Sequence, residues 1–88
     1  MKRIIVNCKK VTSTAELYNL LEKKLKTPEY FGRNLDALHD VLTEMQITLE
    51  IRSFAKLRES LGDYADTLAA MLRATDEECD RFRAVIKD

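Results

Sequence analysis

The sequence predicts an α/β fold in which helices pack on a three-stranded parallel sheet, in the order β-α-α-β-α-α-β. Three observations predict it. Strand-like segments at 3–8, 46–53 and 81–87 are separated by stretches that each carry two helical patterns. Connections of that length form right-handed crossovers, which join parallel strands. Arg81, Arg83 and Lys87 argue that the last strand lies at a sheet edge or keeps one face open.

Residues 3–8 (RIIVNC) are a β-branched run bounded by charge, the pattern of a buried strand. Ser13, with Glu16 three positions on, matches a capping box. It opens a helix of about 13 residues whose Leu17, Leu20, Leu21 and Leu25 share one face. Glu22, Lys23, Lys24 and Lys26 fall mostly outside that face, and the helix carries no evident chemistry. Thr27-Pro28 stops it, because the residue before proline avoids helical geometry. The loop 29–33 then holds two adjacent aromatics, Tyr30 and Phe31. They cannot both enter one core pocket from an extended loop. Either one is buried and the other exposed, or both pack over the first helix. An exposed tyrosine is interface chemistry, since it offers large area at low entropic cost.

Asn34 is placed to cap the next helix. Leu35, Leu38, Leu42 and Met45 form its apolar stripe, widened by Val41, while Asp36, His39, Asp40 and Thr43 share a second face. Asp36, Asp40 and Glu44 form a column of like charge that costs roughly 0.2–0.5 kcal/mol per pair. Asp36 is compensated by the positive helix end; Asp40 is not. The residues alone leave two readings open. The face is ordinary solvated surface partly neutralised by Arg33 or His39, or it is an acidic ridge that meets a basic partner.

In 46–53 (QITLEIRS), Ile47, Leu49 and Ile51 alternate against Thr48, Glu50 and Arg52, predicting a strand with one buried and one wetter face. Phe54, Leu57 and Leu61 mark a short helix closed by Gly62 as a left-handed cap. Asp63 is expected to cap the next helix, which packs through Tyr64, Leu68 and Leu72, with Ala65, Ala69 and Met71 allowing close approach. That helix ends in the polar Thr75, Asp76, Glu77 and Glu78. Finally Phe82, Ala84 and Ile86 alternate against Arg81, Arg83, Val85 and Lys87.

Composition narrows the function. Residues 1–88 are expected to form one domain, burying roughly 60–65 % of the unfolded chain's surface. Fifteen basic and fifteen acidic residues cancel, so the overall field gives no reason to expect direct nucleic-acid binding. No apolar run approaches the roughly 18 residues of a membrane span, and the N-terminus does not read as a signal peptide. The expectation is a cytoplasmic protein without membrane contact, metal or cofactor, with Cys8 and Cys79 as free thiols.

Residues 28–44, PEYFGRNLDALHDVLTE, resemble the signature of the barstar family, small bacterial proteins that inhibit secreted ribonucleases of the barnase type. The shared pattern is Pro-Glu, two aromatics, Gly, any residue, Asn-Leu-Asp-Ala-Leu, one residue, Asp, then Leu-Thr. The order of elements also matches, and the lengths agree nearly end to end. The resemblance implies a barstar-like fold and a protein that is not an enzyme. It implies a 1:1 complex with a barnase-like ribonuclease or ribonuclease toxin, formed by a monomer. By that resemblance the 30–44 loop and helix plug the nuclease active site. Asp40 anchors the contact by taking the place of a substrate phosphate, and Asp36 supports it. Tyr30 matches an aromatic that stacks on the enzyme's histidine. Phe31 and Gly32 lie in the same loop, and Asn34, Leu35, Ala37 and Thr43 fall on positions that touch or flank the enzyme.

The departures bear on partner choice. His39 stands where the best-known family member has tryptophan, Arg33 where it has an acid, and Glu44 where it has glycine. Arg73 aligns with a late acidic contact in the fourth helix. These changes point away from barnase itself, toward a relative with a differently charged rim or a toxin domain that needs an immunity protein. Two other classes follow from the same residues. A module of this fold that binds a non-nuclease protein would keep the core and drift on the face. An enzyme would need Asp36, His39 and Asp40 as a metal site or acid–base pair, yet all three project from one convex helix without a second cluster.

Overall fold

The computed structural model describes residues 2–28 and 31–88. Its elements are β1 (Lys2–Asn7), α1 (Thr14–Leu25), α2 (Leu35–Thr43), β2 (Ile47–Arg52), α3 (Phe54–Leu61), α4 (Asp63–Glu78) and β3 (Phe82–Ile86). The three strands form one sheet in the order β1-β2-β3, and both pairings are parallel, as the crossover lengths predict. Ile4 pairs with Leu49 and Leu49 with Ala84, so the apolar sets of all three strands share one face. Against that face lie Leu17 and Leu21 of α1, Leu38 and Leu42 of α2, Leu57 of α3, and Leu68 and Leu72 of α4.

The ends of the helices differ from the sequence expectation in three places. Ser13 Oγ accepts the Glu16 N–H at 3.2 Å, as a capping box requires. The Glu16 carboxylate, however, closes on the N–H of Thr12 at 3.0 Å and on its hydroxyl, one residue upstream of the usual partner. These bonds hold the Glu16 carboxyl below its ordinary value. Helix α1 stops two residues before Pro28, where Lys26 adopts a left-handed conformation (φ 55°, ψ 53°) and donates its N–H to Glu22 O. Gly62 closes α3 at φ 56° and ψ −127°, outside the left-handed helical region, and serves at once as the N-cap of α4. Asp63 is therefore the first residue of α4 and makes no side-chain cap, because the single-residue junction leaves no position for one.

The wetter face of the sheet carries a further correction. Glu50 is buried, its side chain 1 % exposed. Its carboxylate accepts from Arg52 Nε and from Arg3 Nη1 at 3.0 Å, with Lys87 Nζ 3.9 Å away. The register explains this: Glu50 sits on the central strand, and the chain delivers cations to it from β1, β2 and the end of β3. The three basic side chains, each about half exposed (48 %, 48 % and 58 %), form its cover. The hydrogen bond from Arg52 holds the Glu50 carboxyl below its ordinary range, assisted by the charges of Arg52, Lys87 and Arg3 and opposed by burial.

The β3 edge is occupied by the chain's own side chains. Asp76 accepts the Ala84 N–H at 2.8 Å, and Arg83 donates to Phe82 O at 2.9 Å and to Cys79 O at 3.2 Å. Such capping of an edge blocks pairing with other chains. Cys8 and Cys79 are free, and burial pushes the Cys8 thiol up to about 11. No helix among the described residues is long and apolar enough to cross a membrane.

Candidate partner-binding face

Helix α2 is set rigidly at one side of the molecule. Leu38 and Leu42 are fully buried, and the helix packs against α4. Its N-terminus is secured by Asn34, whose Oδ1 accepts the Ala37 N–H at 2.8 Å while Nδ2 donates to Gly32 O at 3.2 Å. The approach is close: a Cβ on Gly32 would stand 3.3 Å from both Ala37 Cβ and Asn34 Nδ2. A glycine at that point lets the loop turn directly into the helix.

The preceding loop is anchored from behind. Phe31 is buried and packs on Tyr18 of α1, with ring centroids 5.9 Å apart and a tilt of 56°. The Tyr18 hydroxyl in turn shares a hydrogen bond of 2.5 Å with Tyr64 of α4. Burial, then that hydrogen bond, raises the Tyr18 pKa above its ordinary value. The Phe31 ring goes inward. Tyr30 lies outside the described residues. Arg33 takes a left-handed conformation (φ 53°), and its guanidinium reaches back to α1, donating to Ala15 O at 2.9 Å and to Asn19 Oδ1.

The outward face of α2 carries Asp36, His39, Asp40 and Thr43. The Asp40 side chain is 87 % exposed, and Nδ1 of the His39 ring lies 3.9 Å from its carboxylate. Neither Asp40 nor Asp36 makes a hydrogen bond through its carboxylate among the described residues. His39 is half-buried and donates from Nε2 to Glu78 Oε2 at 3.1 Å, joining α2 to the last turn of α4. Thr43 turns its hydroxyl onto Asp40 O at 2.8 Å. Leu35 is half-buried and packs on the core, while Glu44, the C-cap of α2, is exposed. Arg73 is exposed on α4. Asp40 also borders a depression of about 310 Å³ lined by Pro28, Phe31, Gly32, Ala37 and Val41.

The arrangement offers exposed carboxylates on a packed helix beside a small apolar recess, the chemistry for receiving a cationic surface. It does not gather a metal set: no three His, Cys, Asp or Glu side chains among the described residues are placed to hold an ion. The role of α1 was missed by sequence reasoning. Ala15, Asn19 and Glu22 recur at i, i+4 and i+7, so one polar face of α1 underlies the loop, and that periodicity was the available signal.

Comparison with known proteins adds to this geometry. A family model described as Barstar (barnase inhibitor) matches residues 1–87. A protein of Bacillus subtilis (strain 168) named "Putative ribonuclease inhibitor YrdF" is 35 % identical over 91 residues, covering 99 % of this chain and 100 % of that protein.

Proposed function

The chain belongs to the barstar family of barnase inhibitors, and on that premise we propose that it blocks a microbial guanyl-type ribonuclease or ribonuclease toxin by plugging its active site. The 30–44 loop and helix enter the cleft, and Asp40 takes the position of a substrate phosphate among the enzyme's cations. One observation carries this reading. Asp40 is 87 % exposed on a helix whose opposite side is fully buried, so its backbone is held in place while its carboxylate remains free to be paired. A partner then has no strong internal ion pair to break and no backbone ordering of the helix to meet. A carboxylate among several cations accepts short, charge-assisted and bidentate hydrogen bonds, as a phosphate does.

The remaining face residues have supporting roles. Asp36 adds charge beside the anchor, Tyr30 supplies the stacking aromatic, and Phe31 anchors the loop in the core. Gly32, Asn34 and Leu35 shape the turn, while His39, Thr43, Glu44 and Arg73 form the rim that selects the partner. In this role the protein is a single domain over residues 1–88, monomeric when free, cytoplasmic, and bound 1:1 without cofactor, membrane or direct nucleic-acid contact. It inhibits and does not catalyse.

The exposed Arg73, at a place where the resemblance calls for an acid, favours a second reading: a protein of this fold with a non-nuclease partner. One experiment separates the readings. The protein is titrated into guanyl-type ribonucleases and ribonuclease toxin domains while RNA cleavage is followed. Loss of cleavage at one inhibitor per enzyme supports the proposal. Undiminished cleavage across that panel favours the non-nuclease partner, and RNA turnover by the protein alone would make it an enzyme.

A further inference from the structure

Arg33 is the basic residue nearest the acidic ridge in sequence, and a bare cation there would oppose entry into a basic cleft. The geometry resolves the conflict. At φ 53° the backbone of Arg33 turns the chain toward α2 while its side chain leaves in the other direction. Its guanidinium donates to Ala15 O at 2.9 Å and to Asn19 Oδ1, and Nε lies 3.6 Å from Glu22 Oε1. A helix carbonyl, a side-chain amide and a carboxylate therefore receive one planar fork, which an arginine can satisfy and a lysine cannot.

We propose that Arg33 is a positioning residue: an intramolecular clamp that fastens the 31–34 turn to α1 and directs its own charge away from the face where Asp36 and Asp40 stand. Asn19 and Glu22 become part of the recognition apparatus without lying on it. The turn is held at three independent points, with Phe31 in the core, Arg33 on α1 and Asn34 on the first turn of α2. Release of the middle point leaves Gly32 and the N-terminus of α2 tethered only at their ends. The effect on a bound nuclease rests on the inhibitor reading above; the clamp itself does not.

The test uses Arg33→Met, which keeps the aliphatic stem and removes the donors, with Asn19→Ala and the double variant. Amide hydrogen exchange of the free protein is followed across residues 31–36. Arg33→Met is expected to speed exchange there about tenfold and Asn19→Ala, which leaves Ala15 O and Glu22 to the guanidinium, by less; the double variant should go no further than Arg33→Met, because Asn19 acts only through Arg33. Exchange in the sheet, at Ile4 and Leu49, stays unchanged. Where a nuclease binds, both single variants raise the dissociation rate and leave the association rate within about twofold. Unchanged exchange at 31–36 in Arg33→Met would overturn the clamp, as would additive effects in the double variant. A salt-dependent loss of association rate in Arg33→Met, absent from Asn19→Ala, would instead make Arg33 a contact with an acidic partner surface. A confirmed clamp in a protein that inhibits no nuclease would refute the inhibitor reading alone.

Discussion

Replacing Asp40 by alanine separates stability from recognition, because it should spare the first and weaken the second. In the free protein the Asp40 carboxylate makes no hydrogen bond among the described residues, and the His39 ring 3.9 Å away is a partly exposed partner. An exposed pair of that kind contributes about 0–1 kcal/mol. Against it stand the like charges of Asp36 and Glu44, four positions away on either side, at roughly 0.2–0.5 kcal/mol each. Alanine also favours the helix by about 0.5 kcal/mol over aspartate. The balance lies between neutral and about 1.5 kcal/mol of stabilisation, so the thermal midpoint should hold or rise by up to roughly 10 °C. A carboxylate that anchors the interface should instead cost more than about 2 kcal/mol of affinity, roughly thirtyfold in Kd. Thermal unfolding read by circular dichroism, with inhibition titrations on a responsive nuclease, measures both. A fall in the midpoint of many degrees would show that Asp40 is structural, and unchanged affinity would remove it from the mechanism.

Three further outcomes follow from the geometry. Asn34→Ala loses the cap on Ala37 N–H and should destabilise the protein by about 1 kcal/mol, lowering the midpoint by about 4–8 °C in a thermal melt. Gly62→Ala meets no atom within 4 Å, so its cost is purely the backbone conformation, about 1–3 kcal/mol by urea titration; a neutral result would refute the assigned φ and ψ. Glu50 is held below its ordinary value of 4.5 in the folded state, so its stabilising contribution is present above that pH and is lost as pH falls through the lower folded value. Urea midpoints measured from pH 6 down to pH 2 should fall less steeply for Glu50→Gln, and parallel curves would contradict the charge network.

The parts of this fold readable from sequence are those set by local chemistry. The parallel direction of the strands follows from crossover length, the α2 cap from Asn34, and the buried stripe of α2 from the spacing of Leu38 and Leu42. What escaped depends on residues far apart in the chain. Alternation along β2 puts Glu50 on the wetter face, and only the register of β1 and β3 reveals that Arg3 and Lys87 arrive to cover it. The inward packing of Phe31 depends on where Tyr18 of α1 lies. The fate of Arg33 likewise depends on Asn19, 14 residues earlier. In the candidate site the acidic pattern and its Asn34 cap were legible, whereas the restraints that come from α1 and α4 were not.

Competition with a product nucleotide tests the phosphate substitution most directly. Binding to a responsive guanyl-type ribonuclease is measured by calorimetry with and without saturating guanosine 3′-phosphate. If the Asp40 carboxylate occupies the phosphate position, the two ligands exclude one another, and the apparent Kd rises in proportion to nucleotide concentration. A ternary complex with undiminished affinity would contradict that placement.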